Sequence, residues 1–299
     1  MKNNDDMSEI NLIKAVEFSP ESIQFPPSWV GHIPFIAWFI RELSPKIFVE
    51  LGTHTGNSYF AACQSVKESK LPTNCFAVDT WRGDEHTGNY TEEIFNQVTT
   101  YNKEKYENFS KLMRMKFDEA LPYFSDNSIE LLHIDGLHSY EAVSHDFKTW
   151  LPKMAPESII IFHDTKVTEK GFGVWKLWSE LIKEYPYNLE FDHSNGLGVI
   201  MLSNKCKAQF LNEFFSKKDK FKNYFSSLGG LILSRYKFNE LKQQIVVKEQ
   251  ALAAQIAERD AIIIERDAQI AAIYRTYCWR ISSPLRFIGR LIKFFLQKS

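Results

Sequence analysis

The stretch LLHIDGLHSYEAVSHDF, residues 131–147, concentrates groups able to do chemistry. An apolar run from Ile129 to Ile134, broken only by Glu130 and His133, stops at Asp135, and His138, Glu141, His145 and Asp146 follow within a dozen residues. Carboxylates and imidazoles exchange protons and hold cations near neutral pH. The stretch is therefore either a reactive centre or a polar loop with a solvated helix face. Spacing divides it. Glu141 and His145 lie four apart on one helix face while Trp150 and Leu151 turn toward the core, which assigns His145 and Asp146 to structure. His133 alternates with Ile134 inside a strand and reads as a satisfied polar core residue. Asp135, at the strand end, and His138, three residues on in the loop, remain for chemistry.

A second concentration lies upstream in FVELGTHTGNSY, residues 48–59, where a strand ends in Glu50 and a turn carries Gly52, Thr53 and Gly56 into a helical run. Gly52 permits the sharp turn, and Gly56 lets a ligand approach the backbone at a helix N-terminus. The spacing is GxxxG, not the GxGxxG of dinucleotide sites, and no phosphate-gripping P-loop Lys follows. This favours a nucleoside ligand without a bound pyrophosphate. The next strand, CFAVD, ends in Asp79, placed 27 residues after Gly52 where a ribose diol could donate to its carboxylate. Trp81 is positioned to stack on a purine or to wall the cleft.

These groups need strand ends to hold them. Apolar, β-rich runs at 47–51, 75–79, 112–117, 129–135, 158–163, 189–193 and 197–202 alternate with helical spacing near 56–68, 91–108, 139–150 and 171–185. Strands separated by helices build a parallel sheet. Only Ser194-Asn195-Gly196 separates the last two runs, which implies a closing antiparallel hairpin. The expected fold is α/β: a Rossmann-like, seven-stranded, mostly parallel sheet over residues 28–203, whose ligands bind at the carboxyl ends of the strands. Residues 1–27 form an extension before it, and 204–237 read as a helical connector after it.

Composition changes after residue 238. Residues 238–277 contain no Gly or Pro and repeat ERDA seven residues apart; Ile256, Ile263, Ile270 and Tyr277 share one heptad position, and Leu252, Arg259, Arg266 and Ile273 the partner position. The pattern is a long helix, available as a coiled coil for self-association or for packing on the main domain. Residues 278–299 form a tail with basic and no acidic residues, in which Leu285, Ile288, Leu291, Ile292 and Phe295 share a helix face. That is the pattern of a helix lying in a membrane interface. Four widely separated cysteines, Cys63, Cys75, Cys206 and Cys278, give no metal-thiolate spacing, and a net charge of -1 disfavours a nucleic-acid partner. The acidic N-terminus lacks a secretory h-region and no stretch reaches the roughly 18 apolar residues needed to span a bilayer. The expected location is cytoplasmic, peripheral at the inner face of the membrane.

Four motifs, ELGTHTGNSY, VDTWRGDEHTGNY, LLHIDGLHSYEAVSHDFKTWLPKM and IIIFHDT, together resemble class I S-adenosylmethionine-dependent methyltransferases, in particular the group of macrocin O-methyltransferase and cephalosporin-hydroxylase-like proteins. The resemblance covers residues 28–203. It implies S-adenosylmethionine as cofactor, with Glu50, Gly52, Thr53 and Gly56 at its methionine and ribose end, Asp79 on the ribose and Trp81 nearby. It also implies a divalent metal, Mg or Mn, at Asp135, His163 and Asp164, and a sugar or glycan hydroxyl as acceptor. Many relatives carry a second carboxylate where this chain has His163, which tilts the ligand set away from pure Mg preference.

Methyl transfer to a hydroxyl needs alignment and removal of a proton. His138, on the same loop three residues beyond Asp135, is the candidate general base, and the carboxylates of Asp135 and Asp164, from neighbouring strands, can converge at one point above the sheet. The loop WRGDEHTGNYTEEIF, 81–95, should border the acceptor through Asp84, His86 and Tyr90, or act as a mobile lid. The tail segment YCWRISSPLR is similar to tails of surface-polysaccharide glycosyltransferases, which supports a glycan acceptor. Two other readings are a hydroxylase-like relative using the same pocket and a non-catalytic coiled-coil subunit of a polysaccharide assembly complex.

Overall fold

The computed structural model describes residues 12–84, 88–169, 171–203 and 209–297. Residues up to Tyr236 form one compact unit, and Lys237–Ser299 a second. The first is organised by a seven-stranded sheet of β1 (Ile47–Leu51), β2 (Asn74–Asp79), β5 (Ser110–Arg114), β6 (Ile129–Ile134), β7 (Met154–His163), β8 (Asn188–Phe191) and β9 (Leu197–Met201). The order across it is β5-β2-β1-β6-β7-β9-β8. The five strands from β5 to β7 run parallel, and β9 pairs antiparallel with both β7 and β8. Chain order reverses between β1 and β6, so the crevice for a ligand opens above their carboxyl ends. The loop joining β8 to β9 puts Ser194, Asn195 and Gly196 all at positive φ, the backbone that this turn chemistry supplies.

Strand alternation sends side chains into two separate cores. Phe48, Leu131, Ile159 and Ile161 face one, shared with the helices Ile33–Leu43 and Asn57–Ser69. Val49, Leu51, Leu132 and Ile160 face the other, against the helices Tyr140–Trp150 and Val174–Glu184. The helices Gln209–Ser216 and the start of Lys218–Arg275 add Phe214, Phe221 and Phe225 to the first core, stacked around Phe35 and Trp38. Residues 209–236, within the stretch read from sequence as a connector, thus belong to the compact unit. Two short strands, β3 (Gly83–Asp84) and β4 (Gly88–Asn89), pair across the loop after β2.

Strand β5 runs from Ser110 to Arg114, earlier than the 112–117 expected, because Lys116 caps the short helix Phe117–Ala120 in a reciprocal pair with Glu119. The shift matters: Lys116 and Phe117 sit above the sheet instead of within it. In the second unit, Lys218–Arg275 and Tyr277–Leu296 are helical, and Ile256, Ile263 and Ile270 are all about half exposed. Among the described residues no helix is long and apolar enough to cross a membrane.

Candidate active site

The turn after β1 is built around Asp79. Its Oδ2 accepts from the backbone N–H groups of Thr53 and His54, both at 2.9 Å, and its Oδ1 from that of Trp81 at 2.7 Å. Three charge-assisted bonds lock two consecutive loops to one carboxylate, which still has an unused lone-pair position toward the cavity it lines. Gly52 is fixed by close approach: it sits at φ +86°, and an added Cβ would lie 2.0 Å from the carbonyl oxygen of Asp135. Asp135 N–H in turn donates to Leu51 O at 2.8 Å. The glycine turn and the stretch that begins the second cluster are thereby pressed together.

Parallel register sets Glu50 opposite His133 on one face of the sheet. Both are buried, and His133 Nδ1 meets Glu50 Oε2 at 2.8 Å. Trp29 Nε1, which can only donate, reaches His133 Nε2 at 3.3 Å. The proton of His133 therefore sits on Nδ1 and is donated to Glu50. Burial raises the Glu50 carboxyl, opposed by the His133 bond. Glu50 is fully covered and braces the core beneath the turn; it does not line the cavity where the family resemblance puts it. Trp81 is likewise covered, its indole donating to His54 O at 2.9 Å and its ring packing on Phe95. Instead, the wall there is formed by His54 and Tyr90, stacked with ring centroids 4.2 Å apart.

The second cluster assembles at the ends of β6 and β7. His138 Nε2 lies 2.8 Å from Asp164 Oδ2 and 3.5 Å from Asp135 Oδ1. His163 Nδ1 lies 3.2 Å from Asp135 Oδ1 and 3.3 Å from Asp164 Oδ2, while its Nε2 donates to Ser194 O at 3.1 Å. Both nitrogens of His163 therefore face acceptors, the arrangement of an imidazolium. Burial alone would lower its pKa, but the charges of Asp164 and Asp135 outweigh that and hold it well above the usual imidazole range. Burial likewise acts to raise both carboxyls, and the His163 charge with the imidazole hydrogen bonds overrides it, holding Asp135 and Asp164 below the ordinary carboxylate range. Burial lowers His138 too, yet its bonds to the two carboxylates prevail and lift it to about 9. Asp164 adopts φ +60°, a strained backbone for a non-glycine residue, and such strain is retained where a side chain must be aimed.

Asp135, His138 and Asp164 offer ligand atoms all within 4.8 Å of one another, and Asp164 Oδ1 is buried with no hydrogen-bond partner. This donor set of two carboxylates and an imidazole fits a divalent cation. The imidazole in it is His138, whereas the resemblance implies His163; that residue lies below the carboxylates and supplies them with a positive charge. His138 is held from outside as well, by the stacked ring of Phe172 at 4.5 Å and by its carbonyl accepting from Gly173 N–H at 2.7 Å.

Both halves open into one cavity of about 420 Å³, lined among others by Gly52, His54, Asp79, Tyr90, Phe117, Asp135 and His138. That is within the roughly 300–1,000 Å³ of small-ligand sites. Thr53 and Gly56 support the turn from behind it, Gly56 N–H donating to Thr53 O. His145 pairs with Asp118 on the exposed surface, and Asp146 is buried in the helix. Lys116, Phe117 and Phe172 went unread in the sequence; the first two were hidden by the misplaced end of β5. His86, expected at the acceptor, lies outside the described residues, as does the side chain of Asp84.

Residues 49–165, from β1 to just beyond β7, match the family model described as a methyltransferase domain, and the residues that line the cavity lie within that stretch. An uncharacterized protein, y4gI, of Sinorhizobium fredii is 46% identical over 193 residues, covering 64% of this chain and 21% of the relative. The chain thus spans about a fifth of that relative's length. Among solved structures, the O-methyltransferase TomG of Streptomyces achromogenes aligns at a TM-score of 0.44 with 8% identity, over 68% of this chain and 92% of the other. An O-methyltransferase of Bacillus cereus aligns at 0.44 with 12% identity, over 68% and 93%.

Proposed function

We propose that the protein transfers a methyl group from S-adenosylmethionine to a hydroxyl oxygen of a sugar or glycan intermediate. One observation carries the reading: the Asp79-held turn lines a single cavity with Asp135 and His138, which cluster with Asp164, at the reversal point of the sheet. The methyltransferase-domain match spans both. The sugar class rests on the four motifs that resemble sugar O-methyltransferases and on the His54 and Tyr90 wall, a stacked surface suited to a sugar face.

In this mechanism Asp79 and the Gly52 turn orient the nucleoside end. The acceptor hydroxyl lies beside Asp135, its oxygen attacks the methyl carbon, the sulfur–carbon bond breaks with its electron pair returning to sulfur, and the hydroxyl proton passes to the cluster. His138, neutral, is a strong acceptor for that proton because two carboxylates stabilise its charged form; while charged it is idle. A divalent cation held by Asp135, His138 and Asp164 would occupy the His138 lone pair and replace its role as proton acceptor by acidifying the hydroxyl directly. Incubation with glycan extracts and isotopically labelled S-adenosylmethionine, followed by mass spectrometry, tests the reading. A labelled methyl on a glycan hydroxyl supports it; label on nitrogen or carbon, or on no glycan, contradicts it.

A further inference from the structure

The helix Tyr277–Leu296 combines two features that belong together only at one kind of surface. At 100° per residue, Leu285, Ile288, Leu291, Ile292 and Leu296 fall on one side of its second half, and each is 42–72% exposed. Arg286, Arg290 and Lys293 fall on the opposite side. The chain has no acidic residue after Asp267, so nothing in this segment offsets the positive charge. The Arg286 guanidinium lies 3.6 Å from the Trp279 ring and bonds to Trp279 O, an amphipathic pair of the sort favoured at headgroup depth.

An apolar face alone would suit a protein partner, and basic charge alone would suit any polyanion. A nucleic acid would leave the broad leucine and isoleucine face idle. A second copy packed on the apolar face would leave the cations on the far side idle, with no acidic residue in the segment to answer them. A bilayer containing anionic lipid uses both features at once: acyl chains take the apolar face and headgroups take the cations. We propose that Tyr277–Leu296 lies in the interfacial plane of an anionic membrane and attaches the protein to it. Being unable to span, the helix gives reversible, charge-dependent attachment.

Sedimentation of the full chain with phosphatidylcholine vesicles, with and without phosphatidylglycerol, tests this. Binding should require the anionic lipid and weaken as salt rises. The triple variant R286Q/R290Q/K293Q should bind about a hundredfold less tightly, since each basic residue near the surface contributes roughly 1 kcal/mol. The variant L285S/I292S, which keeps every charge, should also lose binding. Circular dichroism establishes that both variants stay folded. Equal binding to neutral vesicles, binding undiminished by either variant, or no vesicle binding together with tail-dependent oligomers would each overturn the proposal, the last assigning the face to a second copy.

Discussion

The two halves of the cavity hold carboxylates in opposite ways. Asp79 is satisfied by three backbone N–H groups and no ionisable partner, which makes it a fixed strut of the turn. Asp135 and Asp164 are held by two imidazoles, and one oxygen of Asp164 is left without a partner. The contrast separates binding from chemistry: a carboxylate held by backbone N–H groups sets geometry, whereas carboxylates countered by titratable side chains can exchange protons or accept a cation.

The largest effect should come from the chemical half. Asp135→Ala is expected to lower turnover about a thousandfold, within the range of a general acid–base contribution, while leaving S-adenosylmethionine affinity within a few-fold. Comparing kcat with a calorimetric Kd checks this, and equal losses in both would erase the distinction between the halves. Gly52→Ala strikes the place where the halves meet. A Cβ there collides with the Asp135 carbonyl at a backbone angle alanine resists, so about 3 kcal/mol of stability should be lost, measurable by denaturant melts.

Asp146 sharpens the comparison from outside the cavity, being a buried carboxylate of the same stretch that lacks such compensation. Burial, only partly offset by His145, raises its pKa to about 7. The folded state then binds a proton more readily than the unfolded chain, so stability is full below about pH 4 and is lost as pH rises toward 7. Asp146→Asn should remove that dependence and stabilise the protein by about 2–4 kcal/mol at pH 8. Thermal melts across pH decide it, and a variant less stable than wild type at pH 8 would show that the charged carboxylate has a favourable partner. The smallest effect is expected at the strut: Asp79→Asn replaces one accepting oxygen by a donor facing backbone N–H, and cofactor affinity should fall about tenfold.

Much of this arrangement was legible in the sequence because strand ends announce themselves. Asp79, Asp135 and Asp164 each close an apolar run, and the Ser-Asn-Gly turn set the final hairpin. What escaped depends on the third dimension. His163 and His138 both stand near the end of a strand or its loop, and only the fold shows that the first donates to Ser194 O beneath the carboxylates while the second faces the cavity. Glu50 was read as ending its strand like Asp79, but it lies one residue inside β1, and the register with β6 sets it against His133. The helix Ile33–Leu43 was not read because IPFIAWFI is apolar on every side and carries no 3.6-residue period.

The most direct test of the central claim is a calorimetric titration of S-adenosylmethionine into wild-type protein and the Asp135→Ala variant side by side. Saturable one-to-one binding of similar affinity in both is the expected result. No binding to the wild type at millimolar cofactor would contradict the assignment of the cavity.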